Sequence, residues 1–175
     1  MDFTEASFFA LVPGICSIHR WQNISVVVWA GQATGYAVRK CSLITPHLRR
    51  DHPRGHSHAS IVLSDTPPPN SEAQAALTAA MENPSADIVC HGVVVESIGF
   101  QASALKSQLT RANLNSKRDR RFALHASIED LAQWMATPHS ERTGVVVDAM
   151  ELEGLLKHLR SQAIDQLGIA AHKEH

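Results

Sequence analysis

The sequence predicts an α/β fold: a short, mostly parallel sheet with an N-terminal antiparallel hairpin, helices packed on the sheet, and an extra C-terminal helix. Three observations predict it. Short β-branched runs alternate along the chain with stretches of helical spacing, the pattern of parallel strands joined by helical crossovers. Two of the β-rich runs stand only Gln22-Asn23 apart near the amino end. A composition of 44% hydrophobic and 19% charged residues over 175 positions suits one packed core rather than a disordered chain.

The first pair of runs, Ile15–Trp21 and Ile24–Ala30, reads as a hairpin closed by that two-residue turn. Ile24-Ser25-Val26-Val27-Val28-Trp29 is nearly continuous in β-branched residues, as in a strand covered on both faces. Gly31-Gln32-Ala33-Thr34-Gly35 then leads from strand to helix, without the Lys-Ser/Thr ending of a phosphate loop. Ala37, Val38, Cys41, Ile44 and Leu48 recur at helical spacing, and Pro46 is expected to kink or stop that helix.

A polar stretch, Arg49–His58, precedes a short strand at Ser60–Ser64, followed by the triple-proline loop Pro67–Pro69. Ser71, with Gln74 three residues on, predicts a capped helix burying Ala73, Ala76, Leu77, Ala80 and Met81. Ile88–Val95 is the next core strand, where Gly92 suggests a bulge or a close neighbour. A helix carrying Leu105, Leu109 and Ala112 follows from Gly99-Phe100, and then a strand at Arg121–Ala126. Ser127 and Asp130 form a capping box for a helix that should end before Pro138. Asp148 and Glu151 form another, opening a last helix striped by Leu152, Leu155, Leu156 and Leu159. Residues 1–138 are thus read as the α/β domain and 139–175 as a loop-and-helix extension.

A net charge of −1 gives no global pull towards nucleic acid or an anionic membrane, and 5% aromatics supply few stacking platforms for bases. The apolar runs are far shorter than the roughly 20 residues a spanning helix needs. Acids near Met1, where a secretory signal would carry basic residues, make the cytoplasm the expected compartment. Cys16, Cys41 and Cys90 each sit in an apolar pattern and read as buried free thiols.

Four local features bear on function. His52, His56 and His58, with His47 upstream, form a histidine-rich segment able to touch a metal ion. Pro53 and Gly55 place it in a solvated loop where ligands are poorly preorganised. Lys117, Arg118, Arg120 and Arg121 make a basic cluster suited to an anion or an acidic partner, or simply to a helix carboxyl end. Trp134, beside Met135 on a short helix, is a candidate interface anchor or a core residue. His91 and His125 fall in strands, where packed histidines are common, and no nucleophile, base and acid stand out as a set. No catalytic residue and no cofactor is assigned.

The order of elements and the stretches Val93–Leu109 and Arg121–Met135 resemble the STAS-like domains, the anti-sigma-factor-antagonist superfamily and its lipid-transfer-like relatives, over about residues 15–136. That resemblance implies a non-catalytic regulatory or scaffolding module that binds a protein partner, a second copy included. It also implies a phosphoswitch near Ser64, Thr66 and Ser71, although the tight glycine turn of the family's switch is missing here. Its relatives imply a second reading, a carrier of a small molecule or lipid in an apolar cavity. A histidine-loop metal protein is the third.

Overall fold

Gln22 and Asn23 close the hairpin as expected, with Gln22 in the left-handed region at φ 49°. The computed structural model describes residues 6–82, 87–96, 103–104, 106–107, 110 and 121–169. The hairpin strands are β2 (Cys16–Trp21) and β3 (Ile24–Trp29), and one more strand, β1 (Ser7–Val12), precedes them. β1 pairs antiparallel with β2 across a turn at Pro13-Gly14 and forms one edge of the described sheet. Its six residues, Ser-Phe-Phe-Ala-Leu-Val, lack the alternation of a half-exposed strand, which is why the sequence pattern does not reveal it.

Beyond β3 the strands are parallel and strictly sequential. β4 (His56–Val62), β5 (Ile88–Val95) and β6 (Arg121–His125) complete the order β1-β2-β3-β4-β5-β6. The crossover from β3 to β4 holds two helices, α1 (Gly35–Ser42) and α2 (Ile44–Asp51), rather than one kinked helix. Thr34 caps α1 by accepting from the Ala37 N–H at 3.2 Å, and Pro46 is accommodated in the first turn of α2, where its missing N–H costs nothing. α3 (Ser71–Glu82) leads to β5 and packs on α1, with Glu72 paired to Arg39 at 2.9 Å. Its cap is Asn70, whose Oδ1 accepts from Ala73 N–H at 2.8 Å; Ser71 is already the first helical residue.

The last two helices are α4 (Ile128–Thr143) and α5 (Ala149–Leu167), capped by Ser127 and Asp148 as the sequence predicts. α4 does not stop at Pro138. The proline removes one backbone donor, but the helix continues to a left-handed Gly144 at φ 76°, where Thr143 and Ser140 hydroxyls bond carbonyls one turn back. Burial of Met135 and His139 on either side of the proline favours continuation. The expected boundary at residue 138 therefore falls inside a helix. Leu152, Leu155, Leu156 and Leu159 of α5 are buried in the same core as Ile24, Val26, Val28 and Ile61.

Two apolar layers result. α4 and α5 cover one face of the sheet; α1 and α2 cover β2 and β3 on the other, through Ile18, Val27, Ala37, Ile44 and Leu48. Gly92 is indeed a close approach: a Cβ there would lie 2.0 Å from Leu131 Cδ1 of α4. Arg160 of α5 grips Glu96, just past β5, through two hydrogen bonds of 2.6 and 2.9 Å. No described helix is long and apolar enough to cross a membrane. Of the helix expected after Gly99-Phe100, residues 103–104, 106–107 and 110 are described and are helical, whereas Leu105, Leu109 and Ala112 lie outside the described residues.

Candidate functional site

Alternation along the parallel strands puts every second residue on the face under α1, α2 and α3, and their register lines these residues up across the sheet. One row is Ser25, His58, His91 and Phe122; the next is Val27, Ser60, Val93 and Leu124; the third is Trp29, Val62 and Val95. Above these rows lies a cleft of about 250 Å³. Val38 and Cys41 of α1, Thr45 of α2, and Leu77 and Ala80 of α3 form its helical wall, and Pro67 and Pro69 border it. His58, Ser60 and His91 are only half-buried although they belong to central strands, because α1, α2 and α3, the helices described on this face, do not close over them. None of the described lining residues is Lys, Arg, Asp or Glu.

Polarity is graded along the cleft. At its polar end Ser25, fully buried beneath the row, hydrogen-bonds His58 Nδ1 through its hydroxyl. The His58 ring meets His91 edge-on at 5.8 Å between centroids, and His91 meets Phe122 in the same way at 5.4 Å. His56 stacks edge-on against His58 at 4.9 Å, is wholly buried, and has no hydrogen-bond partner on either ring nitrogen. Burial holds its pKa down to about 4, assisted by Arg49 and His52 and opposed by Asp87. The other end of the cleft, at Trp29 and Val62, is apolar. Ser25 is too deeply covered to attack a substrate, so the Ser–His pair orients an imidazole rather than arming a nucleophile.

The opposite face carries a second polar array. The His139 Nε2–H points to Asn23 Oδ1 at 2.9 Å, which leaves Nδ1 to accept from the Ser57 hydroxyl at 2.8 Å. Ser57 Oγ lies 3.0 Å from Cys90 Sγ, and Asn23 Nδ2 donates to the Gly55 carbonyl at 3.0 Å. Thiol, hydroxyl, imidazole and amide stand in a line, but all four side chains are buried between the sheet and α4, which carries His139. Burial lowers the His139 pKa to about 4, so the ring is neutral and the array ties the strands to α4.

The sequence-predicted residues fare unevenly. His56 and His58 belong to β4 and are not in a solvated loop, while His52 ends α2 and accepts from Arg20 Nη2 at 3.2 Å. The three do not converge, and among the described residues no group of three His, Cys, Asp or Glu side chains is placed to hold a metal ion. Ser64 is exposed in a turn and Ser71 is exposed at the start of α3, whereas Thr66 is buried, donating to the Leu63 carbonyl at 2.7 Å. Trp134 is half-buried against the core, its ring 5.1 Å from that of His125. Lys117, Arg118 and Arg120 lie outside the described residues; the backbone of Arg121 opens β6. The sequence reading missed Ser25, and took His91 for a packed residue. The signal was present: Ser25, His58, Ser60 and His91 are polar residues on the same side of otherwise apolar strands.

No family model, curated protein or solved structure matches this chain.

Proposed function

We propose that the chain is a non-catalytic binding domain for a small, mainly apolar molecule held between the sheet and α1–α3. The supporting observation is the half-exposure of His58, Ser60 and His91 in the middle of a sheet with helices on both faces. Central strand positions of this kind are normally sealed, and a mostly apolar hollow with a few polar groups at one end suits a small ligand. A cleft of about 250 Å³, set against roughly 30 Å³ per water, suits a molecule of about eight non-hydrogen atoms. This size favours the small-molecule form of the carrier reading over a two-chain lipid.

Octanol is a suitable probe. Isothermal titration should show one saturable site of modest affinity, Kd about 0.1 mM for a ligand this small. Val62→Trp should fill the apolar end and abolish binding while keeping a cooperative unfolding transition, at a cost of about 1–3 kcal/mol in stability. Absence of saturable binding to the wild-type protein would sink the reading. The partner-binding role implied by the resemblance has one observation in its favour: Val146, in the loop before α5, and Met150, in its first turn, are 83% and 73% exposed. If they anchor a homodimer, Val146→Asp with Met150→Asp should abolish a concentration-dependent dimer in analytical ultracentrifugation.

A further inference from the structure

We infer that Cys16 and Cys41 form a redox-active dithiol, which closes to a disulfide by exchange with a small-molecule disulfide and so ties α1 to β2. Nothing in this pairing depends on a ligand in the cleft. Cys16 opens β2 and Cys41 lies in the last turn of α1, and their Sγ atoms are 4.0 Å apart. Strand alternation aims Cys16 at the helices covering this face, into the apolar layer of Ile18, Ile44 and Leu48. Cys41 packs against the same layer, half-buried, and also borders the cleft. One thiol of the pair is thus sealed and the other is reachable from solvent. Cys90, the third cysteine of the chain, takes no part: its Sγ lies 3.0 Å from Ser57 Oγ on the opposite side of the sheet.

A disulfide holds its sulfurs about 2 Å apart, so the pair must close by about 2 Å. One change of side-chain rotamer swings a cysteine sulfur by roughly 3 Å, enough to cover that gap. Leu43, the break between α1 and α2, lies just beyond Cys41, so the end of α1 is not locked into a longer helix. In the exchange, the Cys41 thiolate attacks one sulfur of R′S–SR′ and expels R′S⁻, leaving a mixed disulfide. Cys16 then loses its proton and attacks the Cys41 sulfur, forming the Cys16–Cys41 bond and expelling the second R′S⁻. The two protein thiols are oxidised, R′S–SR′ is reduced, and the two protons leave on two R′SH. Only one thiolate is required at a time. The hydrogen bond to Cys16, and then burial, push the Cys41 pKa up and slow the first attack. The pair therefore answers a sustained redox poise rather than a brief pulse of oxidant.

Wild-type protein equilibrated in glutathione buffers, approached from both the reduced and the oxidised side, provides the test. Thiols are counted after acid quench and unfolding, and bridges are located by peptide mass mapping. In buffers rich in oxidised glutathione the count should fall from three to one and the mass by two hydrogens, with Cys16 joined to Cys41. The bond links positions 25 apart in sequence, so Tm should rise by roughly 5–10 °C and return on reduction. Cys16→Ser removes the second attack; its Cys41 should keep one glutathione as a mixed disulfide, an adduct that the wild type resolves. Native wild-type protein that keeps three thiols, a glutathione adduct persisting on its Cys41, a bridge made by Cys90, or a bridge between two chains overturns the inference. A Cys16–Cys41 bond that forms only in urea overturns it as well, since native packing then does not bring the sulfurs together.

Discussion

Several histidines in this chain are held in surroundings that suit only their neutral form. His19, His56 and His139 are fully buried, and burial before any neighbouring charge lowers each pKa to about 4. In the unfolded chain they titrate near 6.5, so between these values the unfolded state binds more protons and is favoured as pH falls. Their contribution is complete above about pH 6.5 and disappears progressively towards pH 4, at up to about 3 kcal/mol for each residue. Urea midpoints followed from pH 7 downwards should drop steeply through that window. His56 differs from His139 in having no partner for its nitrogens. His56→Leu should therefore be neutral or stabilising and should flatten the acid loss, whereas His139→Ala strands Ser57 and Asn23 and should cost about 2–4 kcal/mol. Cys41 lies 4.0 Å from Cys16, and its hydrogen bond to that thiol, together with burial, pushes its pKa up. Slow alkylation in the native state, becoming rapid in urea, is the expected result.

At the scale of elements, caps and strands were largely legible and interruptions were not. Ser127 and Asp148 were readable because a short polar side chain three residues before an acid or its amide has one common use at the start of an apolar stripe. Ser71 satisfied the same rule, yet Asn70 took the role, since the prolines before it fix where the chain turns into α3. The two assignments separate cleanly by mutation: Asn70→Ala should cost about 1 kcal/mol and Ser71→Ala no more than a few tenths. Pro138 misled in the other direction, because local rules count the lost hydrogen bond and do not see the burial that carries α4 past it. Gly92 was legible as a close approach; Gly92→Ala should cost about 1–3 kcal/mol by driving a methyl into Leu131. The cleft was the least legible feature. Ser25, His58 and His91 are distant in sequence and meet only through strand register, which no single segment encodes.

For the molecule as a whole, the C-terminal helices belong to the fold and do not decorate it. Leu152, Leu155, Leu156 and Leu159 are at most 1% exposed. Their burial, at about 2 kcal/mol apiece, approaches the entire stability of a domain this size. A chain ended after Gly144 should therefore fail to fold, seen as loss of the cooperative unfolding transition rather than as a small shift in it. The strand order carries a further consequence for biosynthesis. Each strand lies beside the one made just before it, so the sheet can assemble from its amino end as the chain leaves the ribosome, without waiting for a distant segment. The cover for Ile24, Val26, Val28 and Ile61 is translated only after all six strands, however. Until α4 and α5 emerge, the nascent sheet shows a bare greasy side to the cell, and that interval is when the chain is most in need of a chaperone.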